Sequence, residues 1–170
     1  MSLTENYPHQ AAQRVSALGL DVGRKRIGVA GCDGTGLIAT GLTTIERQSF
    51  QQDVDTLRQW VEDRQVQVLV IGLPYHLNGE LGSQARQVQK FANRLSKALD
   101  LPMEYVDERL TSVEAEALIQ VEKLSLQHHK SLIDRKAAAI ILQQWLDERR
   151  LDKQQLDKQR AASQIPPGSP

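Results

Sequence analysis

The stretch Ala17-Leu18-Gly19-Leu20-Asp21-Val22-Gly23-Arg24-Lys25-Arg26-Ile27-Gly28-Val29-Ala30 decides the fold. Leu18, Leu20 and Val22 alternate with small or polar residues, and Ile27 and Val29 do the same after a basic turn. Period-two patterning broken by glycine and charge predicts two strands joined as a hairpin. Asp21 does not belong in such a pattern. Strands are depleted in Asp, and a carboxylate beside a core strand loses solvation unless something pairs with it. Asp21 is therefore either the start of a turn, through an Asx-type bond, or part of a site where a metal ion or protonated group meets it. Gly23 leaves room for another group to approach the backbone there.

Working outward, Asp33-Gly34-Thr35-Gly36 is a turn signal, and the Thr-rich, aliphatic run from Leu37 to Ile45 predicts a third strand. The period then changes. Ser49 is placed to cap a helix whose apolar positions are Phe50, Val54, Leu57 and Val61. Residues 66–72 are nearly all apolar, as in a strand buried on both faces. After a loop with Pro74 and Asn78-Gly79, Ser83 is expected to cap a second helix carrying Ala85, Val88, Phe91, Ala92, Leu95 and Leu99. Met103 to Val106 is a short fifth strand. Thr111 with Glu114 has the form of a capping box and predicts a helix through Val121. A last helix is expected from about Leu132 to Arg149. The order βββ-α-β-α-β-α-α predicts an α/β fold, a mixed five-stranded sheet with three antiparallel strands, then two parallel, and helices on both faces. The C-terminal ends of strands one, four and five then share the edge where function sits in such sheets.

The chain has 170 residues, 40% of them hydrophobic, which suits one domain with a proper core. Residues 1–15 are polar and aperiodic and are expected to be a disordered arm. Residues 16–150 form the domain, and 151–170 are expected to be a disordered tail. Lys and Arg number 21, as do Asp and Glu. Zero net charge argues against a protein coated in basic charge but leaves a local patch open. Cys32 is the one cysteine, so no internal disulfide forms and the chain suits a reducing compartment. There is neither a signal-peptide pattern nor a run of roughly eighteen apolar residues. The expectation is a cytoplasmic protein with no membrane partner.

Three acids need an explanation in this layout. Asp21 ends strand one, Glu108 follows strand five, and Asp134 opens the last helix beside the Ala-rich run Ala137-Ala138-Ala139. Two carboxylates at strand ends and one on a covering helix can meet at one point, where they repel unless a divalent cation sits among them. Oxygen ligands without Cys or His select Mg²⁺ or Mn²⁺. Two such ions, about 3.5–4 Å apart, activate water and stabilise the leaving oxygen of a phosphodiester. Plainer roles stand beside this one. Glu108 can pair with Arg109 or Lys123, and Asp134 favours the helix dipole wherever it points. Arg24, Lys25 and Arg26 can hold a phosphate near Asp21 or form a solvated turn. Asn78 can touch substrate from the loop after strand four, although Asn-Gly is also a common turn pair. His128-His129 fit a solvated linker. The glycines do not make a nucleotide-binding fingerprint.

Several of these segments together resemble the YqgF (RuvX) family: Leu20-Asp21-Val22-Gly23 with Lys25, Gly72-Leu73-Pro74, Asn78-Gly79, Asp107-Glu108-Arg109-Leu110-Thr111-Ser112, and Ile133-Asp134 with Ala137-Ala138. The resemblance runs from about Ala17 to Arg149, and its most specific part is Asp-Glu-Arg-Leu-Thr-Ser. It implies an RNase H-like fold and a nuclease that processes the 5′ end of pre-16S rRNA, with Asp21, Glu108 and Asp134 as catalytic metal ligands. The implied cofactor is Mg²⁺ or Mn²⁺, as two ions. Lys25, Arg26, Asn78 and Arg109 become substrate contacts. The implied partner is structured RNA or, alternatively, branched DNA, and the implied assembly is a monomer or weak homodimer. Two other functions stay open: a Holliday junction resolvase, and a catalytically inactive nucleic-acid-binding protein. The RuvC branch of the superfamily carries an acid at the end of strand four, where this chain reads Gly72-Leu73-Pro74.

Overall fold

A computed structural model describes residues 14–74, 82–107 and 130–164. The elements in chain order are β1 (Ala17–Val22), β2 (Arg26–Cys32), β3 (Ala39–Glu46), α1 (Phe50–Arg64), β4 (Val68–Leu73), α2 (Ser83–Leu99), β5 (Met103–Asp107) and α3 (Lys130–Ser163). The strands form one sheet in the order β3-β2-β1-β4-β5. β1 with β2 and β2 with β3 are antiparallel, whereas β1 with β4 and β4 with β5 are parallel. This is the RNase H-like mixed sheet expected from the hairpin and the two crossovers. The predicted helix at 113–121, the Asn78-Gly79 loop and His128-His129 lie outside the described residues.

Each face of the sheet buries a different set of side chains. Leu18, Leu20, Val22, Leu69, Ile71 and Leu73 pack with α1 and α2. On the other face Ala17, Ala30, Val68, Val70 and Val106 pack with Ala138, Ile141, Leu142 and Leu146 of α3. Strand alternation makes this division, and it gives β1 an unusual second face: Ala17, Gly19 and Asp21. Small residues there bring α3 close to the sheet. A Cβ on Gly19 would stand 2.7 Å from Leu142 Cβ and 3.0 Å from the Ala138 carbonyl. Over β3, α3 is fastened by polar contacts. Gln143 Oε1 accepts from the Ala39 N–H at 2.9 Å, and the Thr44 hydroxyl donates to the Ser131 carbonyl at 2.6 Å.

Ser49 caps α1, its hydroxyl accepting from the Gln52 N–H at 3.2 Å. α2 differs from expectation. Gly82 occupies the cap and Ser83 is already helical, with no side-chain cap bond. The arm's last residue belongs to the domain, since Val15 packs on the α3-side core and its carbonyl accepts from Cys32 Sγ at 3.0 Å. The larger difference is at the other end. The chain was expected to be disordered from 151, yet α3 runs to Ser163. Residues 150–163 are mostly Leu, Lys, Gln, Arg and Ala, strong helix formers, with no Gly or Pro before Pro166. Composition that reads as polar and aperiodic is also composition that lets a packed helix continue.

Candidate active site

The C-terminal ends of β1, β4 and β5 and the start of β2 share one edge of the sheet. Asp21 is the penultimate residue of β1 and pairs in register with Gly28 of β2. Directly paired residues point to the same side of a sheet. Gly19, two residues back, faces Leu142 and Ala138, so Asp21 also leaves the sheet on the α3 side. At Gly28 the helix comes closest, and a Cβ there would overlap the Asp134 carbonyl. Asp21 and Asp134, far apart in the chain, therefore stand on one side of one sheet edge, with Gly28 between β1 and the first turns of α3.

Arg26 opens β2 on that same side, two residues before Gly28. Its Nε donates to Asp134 Oδ2 at 2.8 Å, and both side chains are partly buried. The ion pair fixes the direction of the Asp134 carboxylate and leaves Oδ1 clear of the guanidinium. Expected as a substrate contact, Arg26 is thus turned towards an acid of the site. The rest of the basic turn is held by backbone. The Gly23 N–H donates to the Arg26 carbonyl at 2.8 Å, and the Arg47 N–H to the Lys25 carbonyl at 2.8 Å. Arg47 Nη1 donates to the Gly23 carbonyl at 2.8 Å. Lys25 and Arg24 are exposed at the tip.

β5 ends at Asp107, in register with Leu73, the last residue of β4. Glu108, Arg109 and Asn78 lie outside the described residues. Earlier in β5, Glu104 accepts from Trp145 Nε1 of α3 at 2.9 Å and Val106 joins the α3-side core. Among the described residues no group of three His, Cys, Asp or Glu side chains is placed to hold a metal ion. The carboxylates that are described supply oxygen donors only, the set that suits a hard divalent cation. At the end of β4 stands buried Leu73, not an acid.

Inspection of the sequence did not single out Arg47, which braces the hairpin from outside it. Arg47 Nε lies 3.8 Å from Oδ2 of Asp53, which is only 3% exposed and also accepts from the Gln48 N–H at 3.1 Å. The available signal was Asp53 itself, an acid at a helix position that the apolar spacing turns inward.

A family model described as "RuvX: Holliday junction resolvase" matches residues 15–148. A protein of Rippkaea orientalis named "Putative pre-16S rRNA nuclease" is 68% identical over 138 residues, covering 81% of this chain and 99% of its own. A protein of the same name from Crocosphaera subtropica is 69% identical over 138 residues, covering 81% of this chain and 96% of its own. Among solved structures, T. thermophilus RuvC in complex with a Holliday junction substrate aligns with TM-score 0.49 and 10% identity, over 80% of this chain and 96% of that one. The family match takes in every strand and α3 as far as its packed residues reach, and on it the chain belongs to the RuvX nuclease family.

Proposed function

We propose that the protein is a metal-dependent nuclease that processes the 5′ end of pre-16S rRNA, with Asp21, Glu108 and Asp134 as its acids. The observation that carries this is the placing of Asp21 and Asp134 on one side of the sheet edge, around Gly28. A strand acid and a helix acid have no packing reason to share a close-packed glycine site. Glu108 is assigned from its place one residue after β5 and from the family motif. The names of relatives 68% and 69% identical support RNA as substrate.

In this mechanism the carboxylates of Asp21, Glu108 and Asp134 hold one or two ions, Mg²⁺ or Mn²⁺. A bound ion supplies Lewis-acid polarisation of the phosphoryl group and lowers the pKa of the attacking water. Arg26 keeps Asp134 in one orientation, so the carboxylate does not have to be ordered when substrate arrives. Lys25, exposed at the hairpin tip, and Arg109 bind flanking phosphates and set the strand's register. The described acids come from one chain, so a monomer carries them.

Resolution of branched DNA is the second reading, favoured by the family's description. The two part on substrate. Wild-type protein is given a pre-16S 5′-leader RNA and a synthetic four-way junction at equal concentration, with Mg²⁺, Mn²⁺ or EDTA. The rRNA assignment expects divalent-dependent cuts in the leader and an intact junction; paired symmetric cuts in the junction with an intact leader overturn it.

A further inference from the structure

The hairpin that carries Asp21 on its α3 side has another face, where it meets α2 over a cleft of about 340 Å³. Four cations line this cleft: Arg24 from the turn, Arg47 after β3, and Lys90 and Arg94 from α2. No acid lines it. Only Arg47 has a carboxylate near, Asp53 behind it at 3.8 Å. In a chain of zero net charge this is a concentrated positive site.

The cations are held over aromatic rings. The Arg94 guanidinium lies 3.9 Å from the Phe50 ring centre and that of Arg47 4.5 Å from Phe91, while the two rings meet edge to face at 5.9 Å. A guanidinium laid flat on a ring keeps its N–H edge free for phosphate and presents a second flat face for stacking. Gln84 and Gln87, one and two turns before Lys90 and Arg94, add amide donors and acceptors.

We propose that this cleft binds a single-stranded nucleic-acid segment of one or two nucleotides, phosphates on Arg24 and Lys90 and a base stacked on the Arg94 guanidinium plane. Fixed cations with flat platforms are the features that single strands use. The inference rests on the nuclease reading for its placement. Val22, Gly23 and Arg24 belong to the same hairpin end as Asp21 and Arg26, so a strand cut on the α3 side continues round the turn into the cleft.

The test uses the full-length protein and a labelled twelve-nucleotide single strand, as RNA and as DNA, with affinity followed against salt. Lys90→Ala with Arg94→Ala is expected to weaken binding at least about tenfold and to lower the salt slope by about 1.4, or about 0.7 for each lost phosphate contact. Arg94→Lys is expected to keep the slope and lose affinity, because charge remains and the platform does not. If the double variant unfolds, Lys90→Ala alone, at an exposed position, carries the test with a slope change of about 0.7. Unchanged affinity and slope in the folded variant, or no binding of either strand by wild type at low salt, overturns the cleft. Wild type that binds strands and cuts none, with binding lost in the variant, upholds the cleft and removes the nuclease reading. Wild type that cuts, with the variant's KM unchanged, does the reverse.

Discussion

Arg26 and Asp134 meet at 2.8 Å across most of the length of the domain. If Arg26 acts by orienting Asp134, Arg26→Ala lowers kcat by about 10- to 100-fold, as loss of a group supporting a metal ligand does, and leaves KM nearly unchanged. Lys25→Ala, which removes an exposed phosphate contact, raises KM instead. Steady-state kinetics on one RNA substrate separates the two, and Arg26→Lys is expected to recover part of the lost kcat. Asp21→Asn keeps shape and removes charge; it is expected to abolish cleavage with Tm unchanged or raised, since carboxylate repulsion is relieved. Asp21 was legible in sequence because Asp in a strand breaks a local rule. The Arg26–Asp134 pair was not, because nothing local to either residue records a partner 108 positions away.

The element that builds the site is α3, and what lets it do so is a residue without a side chain. Gly28→Ala drives a methyl group into the Asp134 carbonyl. Backbone of a packed helix cannot yield as a flexible side chain can, so the expected loss is about 1–3 kcal/mol, read from the urea midpoint. Activity is expected to fall further than stability, because the first turns of α3 carry Asp134. The far end of α3 is different. Its buried residues stop at Leu146, and 150–163 are nearly all exposed. A chain ending at Arg149 is expected to keep its unfolding free energy within about 0.5 kcal/mol. The packed part of α3 was readable from Ala137, Ile141 and Trp145; the extension was not, because apolar periodicity reports burial and those residues are helical without it.

At the scale of the whole molecule, the sheet order followed from two simple signals. Period-two runs with short turns fixed the meander, and two helical crossovers fixed β4 and β5 as parallel to β1. That topology gathers the ends of β1, β4 and β5 on one edge, and the placing of Asp21 and Asp134 there follows from backbone alone. The basic turn was less transparent. Read as one patch, Arg24, Lys25 and Arg26 serve three directions: the α2 cleft, solvent, and Asp134. Sequence gives the charge of a turn but not how its twist divides the side chains between the two faces of a sheet.

The central claim is that Asp21, Glu108 and Asp134 form one divalent-metal site that cuts nucleic acid. Its most direct measurement is Mn²⁺ titration calorimetry on wild type, Asp21→Asn, Glu108→Gln and Asp134→Asn, with cleavage of the pre-16S leader RNA by the same samples. The account predicts that wild type binds Mn²⁺ and cuts only with a divalent ion present, and that each folded variant binds the ion more weakly and does not cut. Cleavage that persists in EDTA, or a folded variant that binds Mn²⁺ and cuts at the wild-type rate, would contradict it.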